Sequence, residues 1–161
     1  MGKISNNKIV LVLLDIRSVQ NTASLFRTAD CAGVSKIYLV GTTPAPFDRF
    51  GRARQDFSKI SLGAEKSVQH EYVSDIKALL PKLKIEGYKV VALEQAEDSL
   101  DYKDFTASAK CALILGNEVE GVPQGVLDQC DSIIEIPMKG EKESLNVSIA
   151  GAVALFRLLN I

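Results

Sequence analysis

Apolar residues recur along the chain in short continuous runs rather than in strict alternation with polar ones. The runs Ile9 to Leu14, Lys36 to Val40, Lys89 to Leu93, Cys111 to Leu115 and Ile133 to Ile136 are rich in β-branched residues. Near-continuous apolarity over so short a length predicts strands buried on both faces, hence a mainly parallel sheet with helices on either side. Between the runs the spacing becomes helical. Asn21 is placed to cap a helix carrying Leu25, Phe26 and Ala29, closed by Gly33, which puts Arg27 on that helix. A second helix is expected from Ser74 through Ile76, Leu79, Leu80 and Leu83, interrupted at Pro81 and stopped near Gly87. The last helix, Asn146 to Leu159, is apolar on most of its faces, with Val147, Ile149, Val153, Leu155, Phe156, Leu158 and Leu159. Such a helix needs cover on two sides, one from the sheet and the other from a second copy of the chain. Strands alternating with helices, without linker or repeat, predict a single α/β domain over residues 1–161.

Composition narrows the function. Of 161 residues 47% are hydrophobic and 24% charged, enough for a full core. The balance of 19 Lys and Arg against 20 Asp and Glu gives a net charge of −1. A polycation that coats nucleic acid is excluded, and any nucleic-acid site must be a local patch. The stretch Thr42 to Lys66 is too polar and too rich in Pro and Gly for an ordinary connection and is expected to be a long functional loop. It carries Arg49, Arg52, Arg54 and Lys59 among Phe47, Phe50 and Phe57, a mixture that grips phosphates and stacks on splayed bases. The plainer reading is a solvated loop pinned by its aromatics.

Cys31, Cys111 and Cys130 are widely spaced in apolar surroundings and read as reduced core thiols, with neither a disulfide nor a metal site expected. The run Ile9 to Leu14 is too short for a signal-peptide core and is closed by Asp15 and Arg17. No run approaches the roughly 20 apolar residues that span a bilayer, and within residues 1–6 the position where a myristoylation signal requires Ser or Thr is Asn6. A cytoplasmic protein without membrane contact is expected.

Three segments exceed what core packing requires: Asn21 to Ala29, Leu115 to Val122 (Leu-Gly-Asn-Glu-Val-Glu-Gly-Val), and Ile136 to Ser148 (Ile-Pro-Met-Lys-Gly-Glu-Lys-Glu-Ser-Leu-Asn-Val-Ser). Ligands of open α/β sheets bind outside the carboxyl ends of the strands, where two of these segments begin, so the three are expected to converge. Singly, each has a plain explanation: Gly116 and Gly121 as turn residues, Glu118 as a solvated carboxylate, Ser144 and Asn146 as helix caps. Asp15 at a strand end suggests a phosphorylated receiver, but further carboxylates to hold Mg²⁺ are wanting. Dinucleotide and phosphate-loop glycine motifs are absent. His70 lies outside all three segments, and a base must reach its proton before its pKa matters.

Together the three segments resemble the SpoU/TrmH family of RNA ribose 2′-O-methyltransferases in the SPOUT superfamily. The Asn and Arg of the first helix, the Gly-x-Glu-x-x-Gly turn, and Ile-Pro-Met followed by Ser-Leu-Asn-Val-Ser all stand in order, with Ile60-Ser-Leu-Gly-Ala-Glu65 as the family's middle segment. Ala23 replaces a common Gly. The resemblance implies a C-terminal deep trefoil knot, a homodimer with shared active sites, and S-adenosylmethionine held by Leu93, Gly116, Ile136, Met138 and Leu145. It further implies catalysis by Arg27, with Asn21, Glu118, Ser144 and Asn146 shaping the site, on a ribose 2′-hydroxyl of tRNA or ribosomal RNA bound by the basic loop. A non-catalytic RNA-binding module on the same fold is the alternative. A guanidinium does not readily give up its proton, so Arg27 is expected to hold a phosphate and a developing alkoxide rather than act as a base.

Overall fold

Continuous apolar runs favour parallel strands because both faces of each must be covered, and the chain does this throughout. In the computed structural model, which describes residues 7–161, the order is β1 (Lys8–Leu14), α1 (Val19–Ala32), β2 (Lys36–Val40), α2 (Gln55–Ser61), α3 (Ala64–Ser67), β3 (His70–Val73), α4 (Ile76–Ile85), β4 (Lys89–Leu93), β5 (Leu100–Asp101), β6 (Lys110–Leu115), α5 (Gln124–Leu127), β7 (Ser132–Glu135) and α6 (Val147–Leu159). The lipidation reading of residues 1–6 falls outside the described residues. Seven strands form one sheet in the order β3-β2-β1-β6-β4-β7-β5, with every pairing parallel.

Alternate residues of β1 feed two cores. Ile9, Leu11 and Leu13 pack with Leu25 and Phe26 of α1, Phe57 of α2, Ala64 of α3 and Leu155 of α6. Val10, Val12 and Leu14 face the other way, onto Leu79 and Leu83 of α4 and Val126 of α5. Helices therefore cover both faces, as the runs required. Along α6, Gly151, Ala154, Leu155, Leu158 and Leu159 are buried, while Ile149, Val153 and Phe156 remain exposed.

Several expectations need correction. The cap of α1 is Ser18, whose Oγ accepts from Asn21 N at 3.1 Å. Asn21 thus sits inside the first turn with its amide free for other partners, while Gly33 closes the helix in the left-handed region as expected. Asp75 caps α4, which begins at Ile76 rather than Ser74 and continues through Pro81. Thr42 to Lys66 is only partly loop, because α2 and α3 occupy its second half. Phe57 is buried there, edge-on to Phe26 with centroids 5.2 Å apart.

Cys31 is not a core thiol: it falls on the exposed side of α1. Cys111 is buried, its thiol pushed up to about 12 by burial, and the half-buried Cys130 is likewise pushed up to about 11. His70 lies between the rings of Phe26 and Phe47, with centroids at 5.3 and 5.9 Å, and its Nδ1 meets Val68 O. It is a packing residue. Among the described residues no helix is long and apolar enough to cross a membrane, and no group of His, Cys, Asp or Glu is arranged to hold a metal ion.

Candidate active site

Because the sheet is parallel, β1, β6, β4 and β7 all deliver their carboxyl ends to one edge. There the three chemistry-bearing segments meet through side-chain amides and a carboxylate. Glu118, in the turn after β6, accepts from the backbone N–H of Arg17 (2.9 Å) and Ser18 (3.1 Å) just before α1, and from Asn21 Nδ2 (3.0 Å). Asn21 Oδ1 in turn accepts from Asn146 Nδ2 at 3.0 Å. Asn146 Oδ1 caps α6 by accepting from Ser148 N at 2.9 Å and Ile149 N at 3.4 Å. Burial pushes the Glu118 carboxyl up, but the N–H groups of Arg17, Asn21 and Ser18 outweigh it and hold the carboxyl below its ordinary range. Glu118, Asn21 and Asn146 therefore fix the relative positions of three chain segments.

The turn that presents Glu118 is built for that purpose. Asn117 Nδ2 donates to Asp15 O at 2.8 Å, and its Oδ1 accepts from Val119 N (2.9 Å) and Glu120 N (3.0 Å). A Cβ on Gly116 would lie 2.5 Å from the Gly121 carbonyl carbon, and one on Gly121, at φ +68°, would lie 2.3 Å from Glu94 Oε2. Both positions therefore demand glycine. Gly116 is required first of all by the returning backbone of its own turn. Asp15 is likewise spent on structure, since its Oδ1 accepts from Thr42 N at 2.9 Å; this leaves the receiver reading without its carboxylate.

Beside this junction is a cleft lined by Leu93 at the end of β4 and Glu94 after it, Leu115 at the end of β6 and Gly116 after it, Ile136 and Met138 after β7, Ser144 and Leu145 before α6, and Val147 and Ala150 within it. Leu93, Gly116, Ile136, Met138 and Leu145 thus all line one cavity. Sequence reasoning missed Glu94, Gln95 and Glu135, which are also in the lining. The signal was available in that each ends a strand or lies within two residues of one. Gln95 Nε2 donates to Glu143 O at 2.8 Å, tying the segment between β7 and α6 to the end of β4. Apolar walls with two carboxylates and strand-end backbone suit a ligand that combines a flat heterocycle with a positive charge.

The sequence profile of the SpoU rRNA Methylase family matches residues 8–156. This chain belongs to the SpoU methylase family. A Staphylococcus haemolyticus protein assigned to the TrmH family of tRNA/rRNA methyltransferases is 32% identical over 149 residues, which is 92% of this chain and 57% of the relative. The chain therefore spans little more than half the length of that relative. An AdoMet-bound rRNA methyltransferase from Sinorhizobium meliloti superposes with a TM-score of 0.85 at 28% identity, over 94% of this chain and 55% of the other. A structure described as giving insights into the 2-OH methylation of C/U34 on tRNA has a TM-score of 0.80 at 25% identity and covers 95% of each chain.

Two residues of the SpoU-type pattern have side chains that no partner holds among the described residues. Arg27 is exposed on α1, and neither a hydrogen bond nor an ion pair engages it among the described residues; it does not line the cavity. Ser144 lines the cavity, but no partner fixes its hydroxyl among the described residues. In the basic segment, Arg52 pairs with Asp48 at 2.9 Å and Arg54 with Asp56 at 2.8 Å. The N–H of Arg52 holds Asp48 below the usual carboxylate range, and the Arg54 guanidinium does the same for Asp56. Among the described residues Arg49 and Lys59 have no carboxylate partner.

Proposed function

We propose that this chain methylates a ribose 2′-hydroxyl in tRNA, using S-adenosylmethionine, as a single cytoplasmic SpoU-type domain over residues 1–161. The observation that carries the reading is the meeting of three strand-end segments at one edge, locked by Glu118, Asn21 and Asn146 beside an apolar cleft. The tRNA-related structure that matches this chain along 95% of both lengths favours tRNA. The likeness to the S. meliloti rRNA methyltransferase supports ribosomal RNA as the second reading.

In this reading Leu93, Gly116, Ile136, Met138 and Leu145 hold the cofactor, excluding water with apolar surface and offering backbone donors and acceptors to a heterocycle edge. When bound, the cofactor supplies an electrophilic methyl group on a sulfonium. The ribose 2′-hydroxyl would take up that methyl group on its oxygen and give its proton to a phosphate oxygen or to solvent. Arg27 binds the adjacent phosphate and stabilises charge developing on the 2′-oxygen. Glu118, Asn21 and Asn146 act as positioning residues, and Ser144 presents a free hydroxyl at the rim. Arg49, Arg52, Arg54 and Lys59 contact the RNA backbone.

The reading includes a deep trefoil knot formed by the C-terminal segments. It is supported by the place of β4 between β6 and β7, which brings the three following segments side by side. It also includes a homodimer: Leu145 just before α6, with Ile149, Val153 and Phe156 along it, leaves an apolar strip exposed, an aggregation liability on a monomer. Calorimetric titration with S-adenosylmethionine, followed by mapping of 2′-O-methyl groups in tRNA and ribosomal RNA after incubation with the protein, tests the function. Absence of cofactor binding refutes it, and methylation confined to ribosomal RNA selects the second reading. Sedimentation equilibrium tests the dimer: the wild type is expected to be dimeric at micromolar concentration and Ile149→Glu monomeric, and a monomeric wild type refutes it.

A further inference from the structure

The tip of the segment between β2 and α2 is a built turn. Asp48 Oδ1 accepts from the backbone N–H groups of Phe50 (2.8 Å) and Arg52 (3.0 Å), and Asp48 Oδ2 accepts from Arg52 Nε (2.9 Å). Asp48 N donates to Arg52 O at 2.8 Å, Gly51 N donates to Asp48 O at 2.9 Å, and Phe47 bridges Ala53 across the turn. Its base is anchored by the Phe47 ring lying nearly parallel to His70, and by Arg54 N donating to Pro46 O at 3.0 Å.

What this turn holds out is Phe50, 66% exposed. The guanidinium carbons of Arg49 and Arg52 lie 4.7 and 5.1 Å from its ring centroid. The ring contributes little burial to its own fold, yet its backbone N–H is held by Asp48 Oδ1 within a turn that Gly51 N closes onto Asp48 O. Two cations beside it disfavour an apolar protein contact and favour a polyanion that carries flat rings.

We propose that Phe50 is a stacking platform for an unpaired base of the RNA, with Arg49 and Arg52 holding the flanking phosphates. The proposal rests on the RNA-methyltransferase reading and adds to it an aromatic contact outside the cofactor cleft. Stacking uses the π-face that every base has, so this contact orders a single-stranded stretch without selecting its sequence. The preformed turn lowers the cost of ordering the ring on binding.

The test uses unfractionated bacterial tRNA and a single-stranded oligonucleotide carrying 2-aminopurine, titrated with wild type, Phe50→Leu and Phe50→Tyr, each checked for folding by circular dichroism. The wild type is expected to bind both and to change the 2-aminopurine emission. Phe50→Leu should bind roughly ten-fold more weakly, lose the emission change and keep the same salt dependence, while Phe50→Tyr retains both signals. Equal affinity and emission for Phe50→Leu overturn the proposal and leave the RNA reading standing. A wild type that binds neither RNA overturns the RNA reading itself. An altered association state of Phe50→Leu in sedimentation assigns the ring to a contact between copies and overturns the proposal.

Discussion

The strand-end junction and the turn around Phe50 use polar side chains in opposite ways. At the junction, Glu118, Asn21 and Asn146 satisfy one another and the backbone, so their chemistry is spent on holding three segments in register. Around Phe50, the acids at 48 and 56 shape or neutralise the turn, while Arg49, Lys59 and the ring face solvent. The first arrangement is preorganised for one geometry, and the second is an exposed surface of net positive charge. Arg27 belongs with the second kind despite its place on α1, because nothing within the described residues holds its side chain.

That placement gives the largest expected effect. Arg27→Lys keeps the charge but loses the planar fork, so single-turnover methyl transfer with saturating RNA and cofactor should fall roughly 10²-fold while cofactor binding stays unchanged. Near-wild-type turnover would move catalysis to the junction and dissolve the contrast.

Glu118→Gln probes the junction itself. A carboxyl held below its ordinary value of 4.5 stabilises the folded state fully above that pH and loses the contribution as pH falls through the folded value. The variant should be less stable by about 1 kcal/mol at neutral pH, a small figure because solvent reaches this carboxylate. Thermal unfolding from about pH 7 down to about pH 3 should show the two proteins converging at the acid end. A constant gap would mean that the charge is not what matters.

The smallest effect concerns the basic segment. Four cations less two carboxylates, over residues 47–59, leave a net charge of +2. The loop's share of the salt dependence of RNA binding should therefore be a log–log slope of about −1.4, not the roughly −2.8 of four free contacts. Alanine at Arg49 and Lys59 together should remove the larger share, because Asp48 and Asp56 offset the contacts of Arg52 and Arg54. A larger loss on replacing Arg52 and Arg54 would show that RNA breaks those ion pairs.

Five central strands were legible in the sequence because a strand buried on both faces must be apolar at every position. The Lys36–Val40 and Lys89–Leu93 strands coincide with their runs, and the others shift by one residue. The two that escaped, His70–Val73 and Leu100–Asp101, are the sheet's two edges. An edge strand needs ladder bonds on one side only and tolerates residues such as His70, Glu71 and Tyr72, so it leaves no apolar run. The α2 and α3 helices escaped for a related reason, since each is too short for its period to register. The junction was readable as three segments at strand ends. The partners of its side chains were not, because Asn21 as a cap and Asn21 as a hub differ only in which residue precedes the helix by a turn. Cys31 was misplaced because its apolar sequence neighbours belong to the inner side of α1, and it does not.

Asn21 joins residues that lie 97 and 125 positions away along the chain. Contacts of such separation are among the last to form, because the loops they close carry the largest entropic cost and gain nothing until both ends have docked. On a ribosome, β1, α1 and β2 are made and can pack long before residue 146 exists. Until then the Asn21 amide oxygen lacks its donor and α6 lacks its place. The junction is therefore assembled only after residue 146 has been made, and a nascent chain can hold most of a core without holding a site.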